Sequence, residues 1–422
     1  MWKNFIQRNR LCIAFLAAML AIATPCRSVF AQQQPVGVAV HPAGVPESRQ
    51  DEQLQLVRRT KLSSVRFDLP WKLVETQPGQ YAIPRVFEQS VDLANKRGIQ
   101  PVLILDYGNP LYDRGDKPRS PAAISAFVQY AVFVVNHFRG RVRQFEVWNE
   151  WDNYTGGFRP GSPDDYAALF RVVYPALKAT NPDAAIIVGA GISKGWEDRL
   201  AELGVVQMSD GLAVHPYNFQ VTDDLAPEHC VQKLAQLEAR LRISTGKAKI
   251  DLYVTEIGWP TNFGKFGVSE GTERSFVARL LLLAYSLPYV KGVWWYDLVD
   301  DGLDPQNKEH HFGLFRTDLT PKPAAFGASA AAEFIATHAL TLVTAEGLED
   351  GAIAIDARPL AGGPRGMVVW DARQSGRLRV ACTPDDNVQA IRQTFGAAAV
   401  AAAPSLVVAR GGQCVHRLVD AN

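Results

Sequence analysis

The sequence predicts a (β/α)8 TIM barrel followed by a small C-terminal antiparallel β-sandwich. Three observations carry this prediction. First, from residue 36 to about 340 the same order recurs: a short apolar run, a loop, then an amphipathic stretch. Second, there are eight such runs, at residues 36–41, 64–69, 100–106, 144–149, 185–190, 211–215, 252–256 and 292–296. Each is dominated by Val, Ile, Leu or aromatics, as a strand covered on both faces should be. Third, the texture changes after residue 339, where short β-like runs are separated by turn residues.

Residues 1–31 come before the first unit. Lys3, Arg8 and Arg10 precede an apolar run at 11–23, and Ser28-Val29-Phe30-Ala31 stands before Gln32. A basic start, a short apolar core and a small residue at the break describe a secretory signal peptide, cleaved after Ala31, and hence a secreted or periplasmic protein. The competing reading is a membrane anchor. The apolar run, about 13 residues, is short of the roughly 20 that span a bilayer. No later stretch is long and apolar enough to span, so no stable membrane span is expected.

The barrel is assigned to residues 32–339. Helices are expected at 51–61, 86–97, 124–138, 163–180, 230–244 and 272–286. Ser162-Pro163-Asp164-Asp165 supplies a cap, a Pro at the first helical position and early acids, and Gly98 stops a helix after Lys96-Arg97. An open doubly wound sheet is the alternative, but no Gly-rich phosphate-binding turn follows the first strand. Residues 340–422 make the β-sandwich, from runs at 352–356, 367–370, 377–381 and 406–409. The stretch 396–404, almost all Ala and Val, reads as a connection.

Composition removes several function classes. With 47% hydrophobic and 21% charged residues the chain is neither disordered nor collagen-like. Net charge is +1, and residues 1–31 carry four basic and no acidic residues, which leaves 40 basic against 43 acidic beyond them, a net −3. With no Lys/Arg run, there is no electrostatic case for nucleic acid. Cys230, Cys382 and Cys414 follow the leader; an odd number leaves at least one thiol unpaired, and Cys382 with Cys414 is the pairing an oxidising compartment would allow. No Cys/His spacing resembles a zinc site, so neither metal nor cofactor is expected. Nine Trp, many beside carboxylates and amides, supply the mixture a sugar-binding surface needs.

Chemistry in such a barrel sits at the C-terminal ends of strands. Here those ends read His41; Arg66 and Asp68; Asp106, Tyr107 and Asn109; Asn149 and Glu150; His215 and Tyr217; Glu256; Trp294, Trp295 and Tyr296. Glu150 closes the fourth run and Glu256 the seventh. A carboxylate after a buried run is costly unless it has partners or a task. Two facing carboxyls are the minimum for glycoside hydrolysis: one protonates the leaving oxygen, and the other attacks or stabilises the anomeric carbon. The bland reading, two salt-bridged barrel residues, loses weight because Arg66, Asn149 and His215 flank them.

Trp148-Asn149-Glu150 resembles the acid/base motif of clan A glycoside hydrolases, and Thr255-Glu256-Ile257-Gly258-Trp259-Pro260 resembles their nucleophile motif. Val65-Arg66-Phe67-Asp68 with Trp71 and Glu75, Leu105-Asp106-Tyr107-Gly108-Asn109-Pro110, and Trp295-Tyr296-Asp297 are similar to segments of family 39 and family 5-like enzymes. The likeness covers about residues 36–335 and is nearest to endoglycosidases associated with Gram-negative exopolysaccharide synthesis. The common form, Trp-Asn-Glu-Pro-Asn, is Trp148-Asn149-Glu150-Trp151-Asp152 here, which alters the loop beyond the acid.

The resemblance implies a retaining hydrolase of a β-linked oligo- or polysaccharide. Glu150 is then the acid/base, expected to hold its proton through burial and a second carboxylate. Glu256 is the nucleophile, kept ionised by Arg66, with Tyr217 and His215 as hydrogen-bond partners. Asn149 holds the 2-hydroxyl. Trp295 floors the pocket, and His41, Tyr107 and Asn109 complete the sugar contacts. Trp294 and Trp295 alternate on a strand, so one points inward and the other packs under helices. Trp71, Trp151 and Trp259 are either outer subsites or loop packing. Glu146 takes no role, facing either the barrel interior or the helices. A polysaccharide-binding protein without turnover, and a transglycosylase using the same residues, remain alternatives.

Overall fold

The computed structural model describes residues 34–221, 225–343, 352–363, 365–371, 393–394 and 405–407. Eight parallel strands close a barrel: β1 (Val36–Ala39), β2 (Ser64–Pro70), β3 (Gln100–Asp106), β4 (Gln144–Val147), β5 (Ala185–Val188), β6 (Leu212–Val214), β7 (Leu252–Ile257) and β8 (Val290–Trp295). Each pairs with its neighbour in sequence, and β8 returns to β1, with Val36 opposite Val293. The helices α1 (Glu47–Arg59), α2 (Arg85–Lys96), α3 (Pro121–His137), α4 (Pro163–Thr180), α5 (Trp196–Glu202), α6 (Pro227–Thr245), α7 (Glu270–Tyr285) and α8 (Pro323–Thr337) follow the strands in turn. This is the predicted TIM barrel.

Local signals act where they stand in the sequence. Ser162 Oγ accepts from the Asp165 amide at 3.1 Å and the Asp165 carboxylate accepts from the Ser162 amide, a reciprocal cap at the start of α4. The ladders of β1, β4, β5 and β6 are shorter than their apolar runs. The residues beyond them, Asn149 and His215 among them, give their side chains to the barrel mouth.

Strand alternation decides what fills the barrel. Trp294 is the inward residue of β8: it is buried with Val102, Ile187, Ala213 and Tyr253, and its Nε1 donates to Ser64 Oγ at 2.9 Å. Gly37 and Gly292 leave the room it needs, since a Cβ at those positions would lie 2.2 and 2.5 Å from the indole. Trp294 thus fills the barrel interior beneath the C-terminal mouth.

After α8 the chain enters one antiparallel sheet: β9 (His338–Leu342), β10 (Ala352–Pro359), β11 (Gly366–Asp371), β12 (Gln393–Thr394) and β13 (Ser405–Val407), in the order β9-β10-β11-β13-β12. Among the described residues it is a single layer. It sits against the barrel through Trp370, whose Nε1 donates to Glu228 at 2.7 Å, and Glu228 is itself paired with Arg279 of α7. Residues 1–31, the run 377–381, the stretch 396–404, Cys382 and Cys414 lie outside the described residues. Among the described residues no helix is long and apolar enough to cross a membrane.

Candidate active site

Alternation on β2 turns Ser64, Arg66 and Asp68 inward. Arg66 is buried, and its planar fork reaches three acceptors: Nε to Glu146 at 2.8 Å, Nη1 to Glu256 at 2.7 Å and Nη2 to Asn149 Oδ1 at 3.0 Å. Burial opposes the charge, but Glu146 and Glu256 outweigh it and hold the guanidinium firmly protonated. Glu146 is fully buried, and its inward position on β4 makes it the counter-charge behind Arg66. Sequence reasoning gave it no role. Its alternation with Gln144, together with the need of a buried carboxylate for a cation, is the signal that would have found it.

Two backbone departures aim the glutamates. After β4, Trp148 has φ 69° and Glu150 φ 46°, both left-handed. The reversal carries Asn149 and Glu150 together over the mouth instead of onto opposite faces. Asn149 Nδ2 donates to the Tyr107 hydroxyl at 3.2 Å. On β7 the pairing with β8 slips between Val254 and Ile257, a bulge of the kind that re-aims side chains beside active sites. Thr255 and Glu256, consecutive in sequence, therefore both reach inward. Glu256 receives Arg66 on Oε1 and the Tyr217 hydroxyl, at 3.2 Å, on Oε2. A carboxylate oxygen of Glu150 and one of Glu256 lie within 4.8 Å of each other, and a nitrogen of His215 lies within the same distance of each.

His215 organises the pair. Its Nδ1 lies 2.9 Å from Glu150 Oε1 and 3.6 Å from Glu256 Oε2, and its Nε2 lies 3.0 Å from Thr255 Oγ1. The Thr255 hydroxyl donates onward to Glu146, so it must accept from Nε2. Nδ1 faces two carboxylates, so it also carries a hydrogen. Contacts of this kind on both nitrogens favour the protonated ring. Burial works against that charge, but Glu256 and then Glu150 raise the His215 pKa. Glu150 goes the other way. Burial pushes it up, but His215 and the Asn153 amide, donating at 2.6 Å, bring it below the usual carboxylate value. The expectation of a Glu150 raised by burial is corrected: its pKa is lowered, and that of the neighbouring His215 is raised.

The hollow above these residues measures about 640 Å³, within the usual range of ligand pockets. His41, Arg66, Tyr107, Asn149, Glu150, His215, Tyr217 and Glu256 all line it. Trp295 and Asn109 do not. Trp295 faces outward from β8, fully buried against Trp259, with Nε1 donating to the Phe312 carbonyl. Trp294 and Tyr296 are the inward residues, so Tyr296 stands where Trp295 was expected, one step along the strand. Asn109 turns away to bond the Glu75 carbonyl and the Leu111 amide. Trp71, Trp151 and Trp259 are likewise buried. The aromatic wall is made instead by Tyr217, Phe219, Tyr296 and Phe312, packed edge to face.

Three further acids belong to the site. Asp68 lines the hollow, and Asp106 lies behind it, fully buried. Burial and the Asp68 charge raise Asp106 well above the carboxylate range. Glu197 also lines the hollow. His41 lies 3.5 Å from Asp297 and 4.0 Å from Asp301. Burial opposes its charge, but these acids push it up to about 9. Burial raises Asp297, which His41 partly offsets, to about 7. Among the described residues two groups have donor atoms close enough to share a metal ion: Glu150, His215 and Glu256, and His41, Asp297 and Asp301.

No protein-family model matches the chain, and no curated protein matches it. Solved structures do. A family 39 glycoside hydrolase from the gut symbiont Bacteroides cellulosilyticus superposes with a TM-score of 0.72 at 26% identity, over 89% of this chain and 81% of that one. A GH5_18 protein from Streptomyces cattleya, in complex with GlcNAc, gives 0.60 at 17% identity, over 72% and 81%. A glucosidase from Croceicoccus marinus gives 0.60 at 15% identity, over 85% and 79%. Fold and site together define an O-glycosyl hydrolase. The likeness is to the family 39 and family 5 enzymes of clan A, as the strand-end motifs imply.

Proposed function

We propose that the chain is an exported, retaining β-glycosidase that cleaves within a polysaccharide, an exopolysaccharide being the class the sequence motifs favour. The observation that carries this is the approach of Glu150 and Glu256 to within 4.8 Å across the hollow. Retention needs carboxyl groups about 5–5.5 Å apart, whereas inversion needs about 6.5–9.5 Å, to admit a water between them. A second cavity of about 220 Å³ shares the wall of Ala39, Val40 and His41 with the hollow. The depression therefore extends past one sugar, which favours internal cleavage. Export rests on the leader pattern at 1–31, and residues 340–422 are read as an accessory domain.

In the first step Glu256 attacks the anomeric carbon while the bond to the leaving oxygen breaks, and Glu150 delivers a proton to that oxygen. The proton comes along the 2.9 Å contact from His215. As Glu256 becomes an ester its charge disappears, and with it the largest influence that keeps His215 protonated. Attack and proton delivery are thus tied together. In the second step Glu150 takes a proton from water, whose oxygen attacks the anomeric carbon and frees the Glu256 carboxylate. Arg66 donates to Glu256 and orients its carboxylate, and Asn149 is set to bond the sugar 2-hydroxyl as the ring flattens. Glu256→Gln tests the assignment on a panel of aryl β-glycosides and polysaccharides. A loss of about a thousandfold or more is expected, and activity within tenfold of the parent refutes it.

A further inference from the structure

We infer that the hollow is built for a glycan of β-linked amino sugars with free amino groups, and that Glu197 receives the ammonium of the sugar on the leaving-group side. The inference rests on the glycosidase reading above and names its substrate class.

The charges around the hollow carry it. Among the described residues every cation that lines it is already held by a protein carboxylate. Arg66 is held by Glu146 and Glu256, Lys308 by Glu309, His215 by Glu150, and His41 stands against Asp297. None is left for a uronate, a sulfate or a phosphate on the substrate. The acids are not matched in return. Among the described residues neither Asp68 nor Glu197 makes an ion pair: Asp68 acts on Arg66 and His41 only through its charge, and the Arg240 that lowers Glu197 is itself held by Asp198. A binding surface with spare carboxylates and no spare cation attracts ammonium groups and repels acidic sugars.

Position assigns the task to Glu197. Asp152, two residues beyond Glu150, accepts the amides of Ile192 and Ser193, which clips the loop after β5 to the loop after β4. Helix α5 follows at once, anchored by buried Trp196 against Gly191, where a Cβ would lie 2.4 Å from the indole. Glu197 is therefore held on the Glu150 side of the hollow, where the leaving oxygen is protonated. Burial pushes Glu197 up to about 6, so near neutrality it is an ionised, poorly hydrated carboxylate. A charge-assisted bond to an ammonium is strong there.

The test is calorimetric binding at pH 6.5 of three hexasaccharides, β-1,4-linked glucosamine, cellohexaose and β-1,4-linked mannuronate, to the full chain carrying Glu256→Gln. The glucosamine hexamer should bind about tenfold more tightly than cellohexaose, with no measurable binding of mannuronate. Adding Glu197→Gln should bring the ratio of the first two affinities close to one. Adding Glu202→Gln, on the same helix but outside the hollow, should leave the ratio as it was. The inference is overturned if glucosamine binds no more tightly than cellohexaose, if mannuronate binds as well as either, or if the Glu197 variant keeps the preference. Hydrolysis is read separately, on the chain with Glu256 intact. Preference without cleavage counts against the double displacement and for this inference; cleavage without preference does the reverse.

Discussion

Replacing Arg66 by Met removes the one cation inside the barrel that touches both Glu146 and Glu256. The side chain is 3% exposed and makes three hydrogen bonds of 2.7–3.0 Å. Met fills similar volume, so the loss is electrostatic: Glu146, fully buried, keeps only the weak Thr255 contact at 3.4 Å. Breaking a buried pair by removing one partner costs about 3–5 kcal/mol. At about 2–4 °C per kcal/mol for a domain of this class, the Tm should fall by roughly 6–20 °C. The loss depends on pH with a definite sign. A buried carboxylate left alone takes up a proton, which water supplies readily at pH 5 and reluctantly at pH 8. The variant should therefore fall further below the parent as pH rises. Calorimetric melts of both proteins at pH 5, 6.5 and 8 check this. Adding Glu146→Met should recover much of the stability, because an apolar pair can replace a buried ion pair, but not the activity, since Glu256 still lacks its cation. A Tm drop under 2 °C, or one independent of pH, would refute the account of Arg66 as the shared counter-charge.

Four other outcomes follow from the geometry. Glu150→Ala should reduce kcat/KM for a dinitrophenyl β-glycoside less than tenfold, while turnover of polysaccharide drops about 10²–10⁴-fold, because only the poor leaving group needs an acid. The Glu150–His215 pair holds its proton on a group raised above the ordinary histidine value of 6.5, so the parent should lose activity only as pH rises beyond that. In His215→Gln the alkaline limb of kcat/KM should move to lower pH; an unmoved limb argues against the shared proton. Tyr296→Ala should lower kcat/KM about tenfold by removing part of the aromatic wall. Trp295→Phe should cost about 1 kcal/mol in denaturant melts with kcat/KM within twofold, the loss of one indole hydrogen bond.

Residues whose meaning is local were legible in the sequence. The eight apolar runs marked the strands, since a strand buried on both faces leaves a contiguous trace. Glu150 and Glu256 could be picked out because each follows such a run directly. What needed three dimensions was lost in specific ways. The choice of Trp295 over Tyr296 was a register error: counting inward positions from Gly292 through Trp294 leads to Tyr296, but the large indole pair drew attention to the wrong member. Glu146 was missed because its partner lies 80 residues away, on a strand not adjacent in the barrel. The lowering of Glu150 could not be read at all, because it depends on His215 standing between two carboxylates contributed by β4 and β7. The Trp residues misled for a related reason: in this chain the buried indoles shape the barrel and its loops, and smaller aromatics face the sugar.

The two glutamates reach the hollow only because the backbone leaves regular strand geometry at both, and this links the motif to the fold. Left-handed conformations at Trp148 and Glu150 cost on the order of 1–3 kcal/mol each, and glycine would relieve them. The chain keeps a tryptophan at the first instead. Trp148 is fully buried, edge-on to Trp151 at 4.7 Å and to Tyr107 at 6.0 Å, with Phe127 at 5.9 Å. Its burial offsets the strain and fixes the turn. The Trp of Trp148-Asn149-Glu150 is then a clamp beneath the acid, not a sugar platform. Trp151, which stands where the common motif has Pro, completes that clamp: its indole fills the space a Cβ on Gly161 would occupy, at 2.0 Å. The altered loop therefore holds Glu150 by packing where a proline would hold it by restricting φ.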